Sequence, residues 1–436
     1  MVSLRSLIDA LRTSGFFATA VWLVVSGAAV IAVSCGAVED AGDVTGTAAP
    51  AAVSTQAEAE TGADAPTSSL EPGIAVYVGT GKGSFEGDGG PATEASMFRP
   101  SGLAVDAESN LYISTDNRVR KVDAATGVIM TVAGTGSPGY GGDGQPAKEG
   151  RLKLPQGLAV DGEGNVFIAD GGRIRRIDAA TGIISTVAGG GVPKRVSGMI
   201  DPGDGGLATD AFFQAASDVA VDNEGNVYFA ADNRIRKVNA GTGIITSLSG
   251  AGVNDLSGDG GPSTSAGIAD PRGLSFDDQG NLYFADTANQ RVRKIDGATG
   301  IITTVAGIGK HAPPGTHRSQ PTIGPEGQGF SGDGGPAASA MLSVPNDVTI
   351  GPDGNLYIAD TGNDRIRKVD LATGVITTLV DGGAVRGEKM ETGFQEGGDI
   401  KITFTNFAPP TAIVAGRDGV FYIADADQNK VMKFTR

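Results

Sequence analysis

The chain has 436 residues and a formal net charge of −16, which disfavours nucleic acid and anionic lipid as direct partners because both select basic surfaces. Its 69 glycines and 21 prolines argue against a helical fold, since each glycine inside a helix costs about 1 kcal/mol relative to alanine. Many short strands joined by tight turns tolerate that composition. The single cysteine, Cys35, has no partner for an internal disulfide.

The first 35 residues have the layout of an export signal. Arg5 and Arg12 precede an apolar run from Phe16 to Val33, and the next residues lead to Cys35. This order resembles a bacterial lipoprotein signal, which implies lipidation of Cys35 and a chain held outside the cytoplasm. An uncleaved membrane anchor and ordinary cleaved secretion stay open as alternatives, because the 18-residue apolar run is also long enough to span a bilayer.

Residues 36–72 form a second segment with seven acidic residues and no lysine or arginine. Alanine, threonine, serine and glycine supply most of the remainder. Such a segment cannot bury enough apolar surface to offset the entropy lost on ordering. We therefore predict a disordered acidic tether between the signal segment, residues 1–35, and a folded domain, residues 73–436.

From residue 74 onwards the sequence repeats a unit that contains four short apolar runs. An asparagine followed by an apolar residue and Tyr or Phe marks five copies, at Asn110, Asn165, Asn226, Asn281 and Asn355, and a sixth copy has Val420 at this position. In the fifth copy the runs are Asp347–Ile350, Asn355–Asp360, Arg365–Asp370 and Val375–Val380. Glycine, asparagine and aspartate separate them, as tight hairpins require. Six units of four antiparallel strands predict an all-β fold, a six-bladed β-propeller.

The two ends of the domain complement each other. The sixth copy stops after its third run, Lys430–Phe434, so that its fourth strand is missing. Residues 74–80 read like the fourth run of the other copies. We therefore predict that the N-terminal strand completes the last blade and closes the ring, which removes open strand edges.

The repeat resembles the NHL repeat in the stretches Asn281–Asp296 and Asn355–Asp370. The phrase Gly329–Ala337 is similar to one in bacterial extracellular NHL proteins and in the NHL propeller of teneurins. The resemblance implies an NHL propeller and leaves the activity open, because family members bind proteins, bind RNA or carry enzyme sites. Export and negative charge disfavour RNA here.

Residues that recur in every blade indicate architecture, because a catalytic group is needed only once. We predict structural ion pairs across the second hairpin of each blade, at Asp170 with Arg173, Asp232 with Arg234, Asp286 with Arg291, and Asp360 with Arg365. The recurring Gly-Asp-Gly-Gly segments are interpreted as turns in which aspartate bonds its own backbone. They are at Asp88, Asp143, Asp204, Asp259 and Asp333. Each offers a single carboxylate, which disfavours a calcium site.

Function is expected where the blades differ, at the start of each innermost strand. These positions flank the mouth of the central channel, and their polar side chains predict a binding pocket. The predicted binding residues are Ser101, Gln156, Asp218, Arg272, Asn346 and Asp347. No catalytic residue, metal ligand or cofactor is assigned, because His311 and His317 lie in an insertion and no Ser-His-Asp arrangement is apparent.

Three insertions lengthen connections between blades on the same face as this mouth. They are Gly190–Pro202, Ile308–Gln328 and Asp381–Phe407. Their basic residues, Lys194, Arg195, Arg318, Arg386 and Lys389, mark a recognition surface on an acidic body. The hypothesis is an envelope-anchored, monomeric protein that binds a protein or a glycan. A hydrolase or lyase with a gluconolactonase-like divalent metal site at the mouth, and a structural matrix component, are the alternatives.

Overall fold

The computed structural model describes residues 73–196, 199–200, 202–252, 254–309, 329–382, 390–394, 400–404 and 409–435. The predicted signal segment, the tether and Cys35 lie outside these residues. So do His311, His317, Arg318, Arg386 and Lys389. No helix of the described residues is long and apolar enough to cross a membrane.

In the described part of the chain, six sheets form the ring, and the four strands of each blade are antiparallel with the first strand innermost. Blade 1 contains β2 Gly102–Val105, β3 Leu111–Thr115, β4 Arg118–Val122 and β5 Ile129–Ala133. Blade 2 contains β6 Pro155–Val160, β7 Val166–Asp170, β8 Arg173–Ile177 and β9 Ile184–Gly189. Blade 3 contains β12 Ala216–Val221, β13 Val227–Ala231, β14 Arg234–Val238 and β15 Ile245–Ser249.

The other three blades follow the same plan. Blade 4 contains β16 Pro271–Phe276, β17 Leu282–Asp286, β18 Arg291–Ile295 and β19 Ile302–Ala306. Blade 5 contains β20 Pro345–Ile350, β21 Leu356–Asp360, β22 Arg365–Val369 and β23 Ile376–Asp381. Blade 6 contains β26 Pro410–Ala415, β27 Val420–Asp425, β28 Lys430–Thr435 and the N-terminal strand β1 Gly73–Val78.

Short elements lie between the blade strands. The described parts of the connections between blades contain five one-turn 3₁₀ helices, at Ala92–Glu94, Ala147–Glu149, Ala208–Asp210, Ser263–Ser265 and Ala337–Ser339. Two more form hairpin turns, at Thr287–Asn289 and Thr361–Asn363. The strands β10 Arg195–Val196 and β11 Met199–Ile200 form a small hairpin.

The insertion after blade 5 contains two strands that extend this blade, where the sequence predicts only a long connection. They are β24 Met390–Phe394 and β25 Ile400–Phe404. β25 pairs in parallel with β23, and β24 pairs antiparallel with β25, so that the sheet has six strands.

Apolar packing between neighbouring blades forms the core. The second strand of a blade is buried on both faces, as in β21, where all five residues are buried. Across the boundary between blades 5 and 6, the rings of Tyr357 and Phe421 have centroids 4.3 Å apart. Burial on both faces explains why these strands are continuously apolar rather than alternating.

The ring closes as predicted. β1 pairs antiparallel with β28, with Ile74 opposite Phe434. The innermost strands β2 and β26 contact each other, as do the other neighbouring inner strands around the ring. We call the face on which the first strands begin the upper face. The second hairpin of each blade and the connections between blades also lie there, because the strands alternate in direction.

The buried ion pairs differ from the prediction in the arginine that they use. Asp170, Asp286 and Asp360 lie 3.5–3.6 Å from the second arginine of the third strand, namely Arg175, Arg293 and Arg367. The pairings with Arg173, Arg291 and Arg365 were wrong, and so was that of Asp232 with Arg234, because Asp232 instead accepts the Gln214 N–H. The first arginine lies at the strand end and is half-buried, whereas the second lies inside the blade boundary and is almost fully buried.

The Gly-Asp-Gly-Gly segments supply a carboxylate to the second arginine of the third strand in blades 1 to 5. Asp88, Asp143, Asp204, Asp259 and Asp333 contact Arg120, Arg175, Arg236, Arg293 and Arg367 at 2.5–2.8 Å. The segments are turns, as predicted, and Gly87 and Gly89 have left-handed φ values of 90° and 84°. The aspartate, however, bonds the next blade rather than its own backbone. Each connection is therefore fastened to the blade that it precedes.

A candidate binding site at the channel mouth

The six inner strands enclose a cavity of about 300 Å³ in the middle of the ring. All six predicted binding residues line it, together with Ser217 and Thr411. They converge because each one stands near the start of an inner strand, and the propeller repeats that position around the channel. The structure thus brings together the polar side chains that the sequence indicated, and their contact with a ligand stays a prediction.

Arg272 is the centre of a polar chain that crosses three blades. Its Nε and Nη2 donate to Asp270 Oδ2 at 3.1 and 2.6 Å, and its Nη1 donates to Asn346 Oδ1 at 2.5 Å. The Asn346 amide in turn donates to the carbonyl of Thr411. Only 7% of Arg272 is exposed. Its charge is therefore neutralised by Asp270, a residue that the sequence analysis missed although it lies two positions before the arginine.

Hydroxyl groups connect neighbouring blades around the mouth. Each donates to the carbonyl of the proline that begins or precedes the next inner strand, from Ser101 to Pro155, Ser217 to Pro271, Thr287 to Pro345, Thr361 to Pro410, and Thr411 to Pro100. These distances range from 2.6 to 3.3 Å. Ser101 therefore has a structural role. Thr287 and Thr361 were missed, and the only sequence signal was a hydroxyl residue directly after the buried aspartate.

Asp218 and Asp347 use their carboxylates to bond the next blade. Asp218 accepts the N–H of Leu274 at 2.6 Å, and Asp347 accepts the N–H groups of Val348 and Ile413 at 2.8 Å each. Both side chains are half-buried and line the cavity. Glycine at position 273 is required by this arrangement, since a Cβ there would overlap the Asp347 carboxylate.

The electrostatics of the cavity favour protonated carboxyl groups. Burial raises the pKa of Asp218 to about 7. Burial, together with the nearby carboxyl of Asp218, raises the pKa of Asp347 well above its ordinary value. Arg272 is the one basic side chain among the described residues that line the cavity, and it bonds to Asp270. The site can therefore offer both hydrogen-bond donors and acceptors to a polar ligand near neutral pH.

Metal ligation is not supported by a preformed set of side chains. The described part of the chain contains no group of three or more His, Cys, Asp or Glu side chains placed to hold an ion. Gln156 lines the cavity, and its backbone carbonyl accepts a hydrogen bond from the Ser114 hydroxyl of the neighbouring blade at 2.5 Å. The mouth is thus a polar pocket built mainly from strand starts.

Family models match most of the repeated region. The model of the teneurin NHL domain matches residues 80–138, 134–196 and 251–323. The model of the NHL repeat matches residues 342–369. The matched segments fall in blades 1, 2, 4 and 5 and in the connections next to them.

Curated relatives share the propeller region and are much longer proteins. Mouse teneurin-1 is 31% identical over 298 residues, which cover 61% of this chain and 10% of teneurin-1. The Arabidopsis thaliana protein SUPPRESSOR OF QUENCHING 1, chloroplastic, is 27% identical over 312 residues, which cover 67% of this chain and 26% of that protein. The chain thus spans about a tenth to a quarter of the length of these relatives.

Solved structures support the same fold at low sequence identity. An auxiliary nutrient binding protein from Bacteroides thetaiotaomicron superposes with a TM-score of 0.55 at 14% identity, and the match covers 83% of this chain and 75% of that one. One of the same description from Bacteroides ovatus gives a TM-score of 0.54 at 15% identity, over 83% and 76%. The repeat signatures, the six closed blades and the family matches identify this chain as an NHL-repeat β-propeller protein.

Proposed function

We propose that this protein is an exported, monomeric binding protein whose propeller recognises a protein or a glycan at the cell envelope through its upper face. The observation that carries the proposal is the channel mouth. There, Asp218, Arg272, Asn346 and Asp347 come from three different blades and line one cavity. A pocket with several converging polar groups on a rigid scaffold is the usual form of a small-ligand or side-chain binding site.

The surroundings of the mouth support recognition of a larger partner. All three insertions join the end of one blade to the start of the next, which places their stems on the upper face. Lys194 is exposed there. Binding residues concentrate on loops that a rigid fold holds in place. The sequence of the signal segment supports export, and lipidation of Cys35 would hold the propeller at the membrane.

The comparisons add support for binding rather than catalysis. Two of the structures with the same fold are described as auxiliary nutrient binding proteins. Their identity to this chain is 14% and 15%, so that their ligands are not transferred to it.

The proposal is tested by affinity capture from detergent-solubilised envelope, with residues 73–436 as bait. The control bait carries Arg272→Ala and Asn346→Ala, which break the polar chain at the mouth. We expect a protein or polysaccharide that the first bait retains and the control bait loses. Identical recovery on both baits, with equal melting temperatures, would show that the mouth takes no part in recognition.

A hydrolase or lyase is the second candidate, and the paired carboxyl groups of Asp218 and Asp347 favour it. A carboxyl group whose pKa lies near 7 can exchange protons at neutral pH, as general acid–base catalysis requires. Screening lactone and ester substrates with and without added divalent cations tests this function. Turnover that Asp218→Asn abolishes would replace the binding proposal.

A further inference from the structure

Four residues on the upper face are held in a left-handed backbone conformation beside the channel mouth. Arg99, Leu154, Asp270 and Val344 have φ values of 48°, 60°, 48° and 48°. Each directly precedes the proline at the start of an inner strand. This conformation is rare for residues other than glycine, and the residue before a proline normally adopts an extended one. The structure must therefore supply contacts that compensate for the strain.

Amide side chains of the preceding blade supply those contacts. Asn429 accepts the Arg99 N–H at 2.9 Å, Asn117 accepts the Leu154 N–H at 3.1 Å, and Asn233 accepts the Asp270 N–H at 2.9 Å. Gln290 does the same for Val344. The backbone at these four positions is thus held at the mouth by a hairpin of the preceding blade. A backbone segment that is already ordered loses little conformational entropy when its side chains bind a partner.

Large apolar side chains are exposed in the sector of blades 1 and 2. Leu154 is 65% exposed and the neighbouring rim residue Phe98 is 48% exposed. Both are held by the same hairpin of blade 1, because Phe98 donates its N–H to Thr115 and Leu154 donates its N–H to Asn117. Neither residue contributes to a core cluster of the propeller. Nothing in the folding of the blade requires a leucine at this strained position.

Basic residues are frequent in the connections and hairpins of the upper face that carry or hold these apolar residues. We call this region the basic sector, and it contains Lys82, Arg99, Arg118, Arg151, Lys153 and Arg173. Two carboxylates on the same rim, Asp116 and Asp427, are paired with Arg118 and Arg99 at 3.0 and 3.5 Å. The remaining basic residues leave the sector positive, whereas the whole chain has a net charge of −16.

The described part of the upper face in blades 3 and 4 is more acidic. Arg234 and Arg291 lie there at strand starts, and Asp232, Asp255 and Asp270 are exposed on the same face. An acidic partner is therefore repelled by most of this protein and attracted by one sector. Such complementarity steers association and fixes orientation.

We infer that the basic sector docks an acidic protein segment that carries a large apolar side chain, with Leu154 and Phe98 as its apolar contacts. This inference rests on the proposed binding function and names the partner as a protein. An aliphatic anchor inside a charged rim suits a protein partner, whose contacts centre on a few buried apolar side chains. A polysaccharide provides carboxylates but no such side chain for Leu154.

The test selects short random displayed peptides on the full chain in a non-ionic detergent. The variants are Leu154→Asn and the double change Lys82→Glu with Lys153→Glu. Asparagine tolerates the left-handed conformation, so that Leu154→Asn removes the apolar side chain without added strain. Ile301→Asn is the matched control, because Ile301 is 37% exposed in the lower-face turn between β18 and β19. Melting temperatures establish that each variant is folded.

We expect the unchanged protein to enrich peptides with net negative charge and at least one large apolar residue. Binding of a synthesised enriched peptide should fall at least about five-fold in both upper-face variants, weaken as salt rises, and persist in Ile301→Asn. Enrichment of neutral or basic peptides, no enrichment, or equal binding by Leu154→Asn would overturn the inference. Tighter binding of alginate, an acidic polysaccharide, than of the enriched peptide would also overturn it.

The two proposals fail separately in this design. Arg272→Ala with Asn346→Ala changes the mouth and leaves Leu154, Lys82 and Lys153 in place. If the double variant still binds the peptide, the inference about the basic sector stands. If envelope capture is also the same with and without the double change, the mouth has no part in the proposed function.

Discussion

Asp218 of blade 3 and Asp347 of blade 5 occupy the same place in their inner strands, opposite Ala230 and Ala359 of the second strands. The inner strand of blade 4 lies between them and has Gly273 directly before Leu274, as Asp218 and Asp347 stand directly before Val219 and Val348. Each carboxyl group bonds the backbone of the following blade. The pair therefore joins four blades and also brings two acidic groups to one cavity.

The first prediction concerns the pH dependence of stability. The unfolded chain ionises an aspartate near pH 4, whereas burial keeps Asp218 protonated to about pH 7 in the folded protein. Proton release between these values favours the unfolded state, so that the contribution of this group is greatest below pH 4 and falls as pH rises to 7. Asp218→Asn should remove this loss, which is on the order of a few kcal/mol.

Urea unfolding at pH 5, 6, 7 and 8 measures this effect as the difference between Asp218→Asn and the unchanged protein. The difference also contains the part of the rise in the pKa of Asp347 that the Asp218 carboxyl causes. Burial also raises the pKa of Asp170, Asp286 and Asp360 to about 6, but these groups are present in both proteins and cancel in the difference. Asp278→Asn, in an exposed turn, is the control. If the difference in the free energy of unfolding between Asp218→Asn and the unchanged protein is the same from pH 5 to 8, Asp218 is ionised in the folded protein.

The second prediction concerns Cys35, which lies outside the described residues. If the signal segment is of the lipoprotein type, the thiol of Cys35 carries a lipid. We expect Cys35→Ser to abolish incorporation of labelled fatty acid and to release the propeller from the membrane fraction. Labelling that is unchanged in the variant would rule out lipidation at this residue.

The third prediction concerns ring closure by β1. Ile74 is buried in the cluster that includes Phe434, whereas Val76 on the same strand is 38% exposed. Ile74→Ala should cost about 2–4 kcal/mol because it leaves a cavity between blades 5 and 6, and Val76→Ala should cost less than about 1 kcal/mol. Deletion of residues 74–82 should destabilise the whole ring. Thermal unfolding measures all three, and a melting temperature unchanged by the deletion would refute closure by this strand.

The fold could be predicted from the sequence because the same pattern of short apolar runs and turns occurs in six copies. Closure was predictable for the same reason, since a missing fourth strand at one end matches a surplus strand at the other. Val420 replaces the recurring asparagine in the sixth copy. It is buried at the start of β27, so the second strand of blade 6 lies where the repeat predicts it. Periodic information therefore located every blade and also located the positions that converge on the mouth.

The roles of the mouth residues were harder to predict because they depend on partners in other blades. Arg272 bonds Asn346, which lies 74 positions later, and no local pattern indicates that contact. The choice between Arg173 and Arg175 failed for a related reason. Both project to the same side of β8, and only the second is covered by the connection that carries Asp143.

The fourth prediction concerns the equivalent buried ion pairs of blade 4, which Arg293 forms with Asp259 and Asp286. Arg293 is fully buried and lies 2.7 Å from Asp259 and 3.6 Å from Asp286. Arg293→Met should cost about 3–5 kcal/mol, because it leaves two carboxylates without their cation, one of them fully buried. The matched change Arg291→Met affects a half-buried arginine that donates to loop carbonyls, and it should cost less than about 1.5 kcal/mol.

Blade 6 shows why methionine is the informative replacement. At the position of Arg293 it has Met432, which is buried among Phe421 and Phe434, and the connection that precedes it has no Gly-Asp-Gly-Gly segment. A methionine therefore fits a blade from which the connecting aspartate is absent. Arg293→Met combined with Asp259→Ala and Asp286→Asn should recover most of the stability that Arg293→Met loses. Urea unfolding compares the two variants. If the triple variant unfolds at a lower urea concentration than Arg293→Met alone, the arginine contributes by packing rather than by neutralising the two carboxylates.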